Sequence, residues 1–76
     1  MSLYSVSSEE LPIIYVITPT YQRPEQMAEL VRLAQTLLHV PAIHWIVVED
    51  AESLSKRVID LLARFTQIPS THLFGI

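Results

Sequence analysis

Apolar residues run unbroken through residues 12–18, Pro-Ile-Ile-Tyr-Val-Ile-Thr. A short β-branched run of this kind predicts a strand covered on both faces, as in a parallel sheet. Pro12 suits a strand's first position, whereas Pro19 and Pro24 end the run, because proline lacks a ladder donor and restricts the residue before it. From Pro24 the period lengthens. Met27, Leu30, Val31, Ala34, Leu37 and Leu38 recur at helical spacing, with Glu25, Gln26, Glu29, Arg32 and Gln35 on the other face. This predicts a first helix with Pro24 in its first turn and an end by Pro41. Residues 44–50, His-Trp-Ile-Val-Val-Glu-Asp, predict a second strand, and residues 71–74 the start of a third. Between them, Leu54, Val58, Leu61, Leu62 and Phe65 mark the apolar face of a second helix, capped by Ser53 or Ser55 and broken at Ile68 and Pro69. Residues 1–10 are polar, serine-rich and without periodicity, which predicts a flexible leader.

The order β-α-β-α-β predicts an α/β fold: a parallel three-stranded sheet flanked by helices and joined by right-handed crossovers. Such a sheet has two open edges, so self-association into a homo-oligomer is expected. Topology also places the candidate chemistry. Open α/β sheets bind ligands beyond the carboxyl ends of their strands. That rim holds Pro19, Thr20 and Tyr21 after the first strand and Glu49 and Asp50 after the second. An exposed ring and a fixed carboxylate suit a nucleobase, whose face stacks and whose imide N–H donates. Glu49 and Asp50 are adjacent, so on a strand they point to opposite faces. Glu49 reads as solvated or salt-bridged, Arg23 as a partner of Glu25 or Glu29 with a phosphate as the other option, and His39, His44 and His72 as structural or exposed.

Composition narrows the classes further. At 76 residues the chain is one small domain with a thin stability margin, and with no cysteine it has neither a disulfide nor a thiolate metal site to reinforce it. Five Lys and Arg, scattered against eight Asp and Glu, give a net charge of −3, so no concentrated basic face is available for nucleic acid. No segment approaches the ~20 apolar residues of a membrane span, and residues 1–10 lack the pattern of a secretory signal. The chain is therefore expected to be soluble and without an anchor. With Gly75 as its only glycine, neither a dinucleotide fingerprint nor a P-loop can be written, which ranks a dinucleotide-binding domain last.

Several segments together resemble the start of the catalytic domain of the animal β-1,3-glucuronosyltransferases. They are Leu11-Pro12-x-Ile14-Tyr15, Thr18-Pro19-Thr20-Tyr21-x-Arg23-Pro24, Ala28-Glu29-Leu30-x-Arg32-Leu33, His44-Trp45-Ile46-x-Val48-Glu49-Asp50-Ala51 and Thr71-His72-Leu73. The resemblance implies the nucleotide-binding start of a GT-A (Rossmann-like) fold, with residues 11–76 a truncated UDP-binding subdomain. It implies transfer of glucuronic acid from UDP-glucuronic acid to a galactose-terminated glycan with inversion, Mn²⁺ dependence, and a parent enzyme at the lumenal side of the Golgi membrane. Carried over by position, UDP binding falls on Pro19, Thr20, Tyr21 and Asp50. The family's metal site, catalytic base and acceptor domain correspond to nothing in these residues, so no catalytic residue or metal ligand is assigned and the chain alone is expected to be inactive. The competing reading is a non-catalytic α/β module that self-associates through its open sheet edges.

Overall fold

A computed structural model describes residues 2–7 and 12–75, with side chains from residue 13 onward. The elements are β1 (Ser2–Ser7), β2 (Pro12–Thr20), α1 (Gln26–Leu37), β3 (Ile43–Asp50), α2 (Lys56–Arg64) and β4 (Ser70–Gly75). The strands form one sheet in the order β1-β2-β3-β4. β2, β3 and β4 are parallel, in a register that sets Thr20 against Glu49 and Glu49 against Phe74. The expected α/β sheet of three parallel strands with two helices is therefore what forms.

Four details differ from the sequence reading, each for a physical reason. Residues 2–7, expected within a loose leader, pair antiparallel with β2 from Ser2↔Ile17 to Ser7↔Pro12, so an edge expected to be open carries a fourth strand. Residues 8–10 of that leader, with Met1, Leu11 and Ile76, lie outside the described residues. β2 also continues through Pro19 to Thr20. The Ile14 amide donates to Ala42 O at 2.9 Å, so even-numbered residues of β2 direct their amides to β3 and odd-numbered ones face β1. Proline's missing donor at 19 thus falls on the side away from β3, beyond the last β1 pair at Ile17. Pro24 stands outside α1, which starts at Gln26 with Glu25 at its cap position.

The fourth difference concerns coverage. Two right-handed crossovers that advance the same way across a sheet return on the same side, so α1 and α2 share one face. Their residues Leu30, Ala34, Leu37, Val58 and Leu61 join Val16, Ile43, Trp45, Val47 and Ile68 in one core. On the opposite face Tyr15, Ile17, Ile46 and Val48 stay half-buried and Ile13 and Leu73 exposed, with no described helix over them. Both-sided burial of the apolar runs, as expected from their composition, is not what these residues show.

Within the core, Trp45 is fully buried and its indole N–H donates to Thr18 Oγ1 at 3.0 Å. Ala42, in the turn into β3, holds a positive φ of 55°, a region that costs a side chain roughly 1–2 kcal/mol.

Because the domain is small, one lost core contact should be decisive. Leu61→Ala, at a fully buried position, should cost about 2–5 kcal/mol, while Leu38→Ala on the exposed end of α1 should stay within about 0.5 kcal/mol of the parent. Urea unfolding followed by emission of the single Trp reads both.

Candidate functional site

The carboxyl ends of β2, β3 and β4 lie level, because Thr20, Glu49 and Phe74 share one row of the sheet. The next residues, Tyr21 and Asp50, emerge from neighbouring strands about 5 Å apart. The structure thus brings these two predicted site residues to one rim. Tyr21 is 54% exposed and Asp50 exposed. Across the rim, the Ala51 amide donates to Gly75 O at 3.2 Å, closing the β3 and β4 ends together.

The other two predicted residues are placed differently. Pro19 is exposed and registers with Val48, on the sheet face that no described helix covers. Thr20 is buried, and its Oγ1 accepts from Gln26 Nε2 at 3.2 Å. The Thr20 hydroxyl is therefore turned inward to α1, and what Thr20 offers the rim is its backbone. A cleft of about 320 Å³ opens beside it, lined by Pro19, Thr20, Arg23 and Glu29 among others. Another, of about 300 Å³, lies at the amino end of the parallel strands around Leu37, Pro41, Ile43 and Ile68 and has no titratable side chain in its lining.

Under the rim sits Glu49. It faces inward with Ile43, Trp45 and Val47, as the alternating burial of β3 requires, and is buried. Its Oε1 accepts from the Ser55 amide at 2.9 Å, the Ser55 hydroxyl at 3.0 Å and His72 Nε2–H at 2.6 Å. A carboxylate only accepts, so His72 Nε2 carries the proton. Burial alone would raise the Glu49 pKa, but the Ser55 amide and hydroxyl and the His72 hydrogen bond and charge together outweigh it, leaving the pKa below its ordinary value. Asp50 is exposed, so the two adjacent carboxylates divide between the two sides as expected, with Glu49 held by protein donors inside.

Sequence reasoning underplayed three residues here. Gln26 was placed on the polar face of α1, yet it stands on the stripe Gln26-Leu30-Ala34-Leu37 at spacings that return to one side, and all four are buried. Glu49 has the inward parity of Trp45 and Val47, and an inward acid requires a partner. His72 registers with Val47, which places it on the same inward side. These periodicities were present in the sequence, and each could have been found by reading the polar residues in register with the apolar ones.

Arg23 pairs with Glu29, one of the two expected partners. Among the described residues no three His, Asp or Glu side chains come together as a metal site needs. No described helix is long and apolar enough to cross a membrane.

The fold defines an α/β domain with an exposed tyrosine and an exposed aspartate at the carboxyl ends of its parallel strands. The model of glycosyltransferase family 43 matches residues 33–75, more than half of the chain, and the chain belongs to that family. It is 56% identical over 66 residues to human galactosylgalactosylxylosylprotein 3-beta-glucuronosyltransferase 1, covering 87% of this chain and 20% of that protein. Against the Drosophila melanogaster 3-beta-glucuronosyltransferase S it is 52% identical over 64 residues, 84% of this chain and 15% of the relative. The Caenorhabditis elegans relative sqv-8 is 48% identical over 73 residues, 96% of this chain and 20% of that one. The chain therefore spans a fifth or less of the length of these relatives.

Glu49 makes stability depend on acid in a definite direction. Its folded pKa lies below the ordinary 4.5, so the unfolded state takes up a proton more readily. The stabilisation is present above that value and lost as pH falls through the depressed one. Glu49→Gln should lower stability at neutral pH by about 1–3 kcal/mol and flatten the acid limb of a plot of Tm against pH. Parallel acid limbs in the two proteins would show that Glu49 does not carry the dependence.

Proposed function

We propose that the chain is the donor-recognising part of an inverting glycosyltransferase. The reaction is transfer of glucuronic acid from UDP-glucuronic acid to a terminal galactose of a glycan in β-1,3 linkage. Family membership and the naming of its relatives as 3-beta-glucuronosyltransferases support the reaction. The observation that supports the site is the register that pairs Thr20 with Glu49, one residue before Tyr21 and Asp50. In this reading Tyr21 stacks on uracil, Asp50 accepts from the imide N–H, and the backbone of Pro19 and Thr20 shapes the wall between them. The sheet is consistent with the start of a GT-A fold. Mn²⁺ dependence and a place at the lumenal side of the Golgi membrane belong to the same proposal for the whole enzyme.

Magnitudes set what the chain does alone. Base stacking contributes roughly 1–3 kcal/mol and a charge-assisted hydrogen bond about 1.5–3 kcal/mol. Against the cost of association, that leaves UDP at a Kd on the order of millimolar or weaker. The residues present bind and orient a nucleotide. With no catalytic base or metal ligand assigned among them, the 76-residue chain on its own is proposed not to turn over.

A second reading follows from the exposed Leu73 and Phe74 on β4, where a partner strand in a homo-oligomer could pair. Sedimentation over a concentration series separates the two, since a monomer at all concentrations excludes self-association.

An NMR titration with UDP tests the first reading. Tyr21→Ala should weaken binding by roughly 5- to 150-fold, Asp50→Asn by about tenfold, and Mn²⁺ should leave the chain's own affinity unchanged. Undiminished binding by both variants would place the nucleotide elsewhere.

A further inference from the structure

The loop after β2 carries one arginine that the nucleotide reading does not use. Arg23 sits with its guanidinium carbon 4.5 Å from the centroid of the Tyr21 ring. Its Nη1 donates to Tyr21 O at 3.3 Å, and its Nη2 pairs with the carboxylate of Glu29. Glu29 lies in the first turn of α1, so the guanidinium is anchored to a helix as well as to the loop it belongs to. The Arg23 side chain is 23% exposed, and Tyr21 as a whole residue is 54% exposed. One face of Tyr21 is thus taken and the remaining exposure belongs to the other face and the edges.

Resting on the reading that Tyr21 stacks on a pyrimidine, we infer that Arg23 is the positioning residue for that ring. Tied to Glu29, the planar guanidinium backs one face of Tyr21 so that the opposite face receives the base. Two physical effects follow. The ring's side-chain freedom is restricted before the ligand arrives, which lowers the ordering cost of binding. A cation against the rear face also places guanidinium, phenol and base in one stack. The alternative, a direct grip on a phosphate, would draw on the guanidinium donors that Glu29 and the Tyr21 carbonyl leave over and would act on UDP alone.

The experiment compares UDP with uridine, which has the same base and no phosphate, by NMR titration of the 76-residue chain. Arg23→Ala should weaken both ligands by one common factor of about two- to tenfold. The same substitution in a Tyr21→Ala background should change neither. Arg23→Lys keeps the charge but not the planar fork and should behave like alanine. Glu29→Gln should weaken both ligands in the same direction. Unchanged Trp45 emission and amide spectra away from the loop establish that each variant is folded. A loss for UDP alone identifies a phosphate contact and overturns the inference, as does tighter binding of both ligands, which would mean that arginine and base compete for one face. Rescue by lysine, or an Arg23 effect that persists without Tyr21, also overturns it. If Tyr21→Ala leaves both affinities intact, the nucleotide reading itself fails and Arg23 has no ring to position.

Discussion

One buried oxygen ties the functional end of this molecule together. Glu49 Oε1 receives the amide and hydroxyl of Ser55 and the imidazole of His72, linking β3 to the start of α2 and to the neighbouring strand β4. A buried acid without donors would be strongly destabilising, and each of these donors without the acid would itself be left unpaired. The arrangement therefore holds as a unit. It fixes where the connection after Asp50 returns to the sheet, and so fixes the backbone on which Asp50 stands.

Two further bonds from β2 to its surroundings complete that support. Thr18 accepts from Trp45 and Thr20 from Gln26, so the last inward-facing residues of β2 are held by β3 and by the beginning of α1. The rim above them carries Tyr21 and Asp50, one residue beyond the Thr20–Glu49 pair. Rigidity comes from buried polar contacts below, while the groups suited to a ligand remain at the surface. This division fits a protein of family 43, in which the donor nucleotide is held by a preformed edge of the sheet in the proposal made above.

Much of this was legible in the chain. The apolar runs gave β2 and β3, the helical spacing from Met27 to Leu37 gave α1, and Pro69 correctly separated α2 from β4. Parity alone divided Glu49 from Asp50. The strand at residues 2–7 was not legible, because a six-residue serine-rich stretch carries little signal by itself and is ordered by the unpaired edge of β2. Coverage of one face only was also missed. An apolar run records that both faces avoid water in some context, whereas the side on which helices return is set by the order and hand of the crossovers. Gln26 was hidden for a related reason: its polarity suggested surface, and its spacing from Leu30 marks it as inward, while for His72, open between structural and exposed, the register with Val47 decides for structural.

The central claim is that Tyr21 and Asp50 face one bound pyrimidine. Intermolecular NOEs between the uracil H5 and H6 protons of UDP and the protein test it without any substitution. The account predicts cross-peaks to the Tyr21 ring and to the backbone around Asp50 and Ala51. Cross-peaks instead to Ile46 or Val48 on the uncovered sheet face, or to the cleft around Leu37 and Ile68, with none to Tyr21, would contradict it.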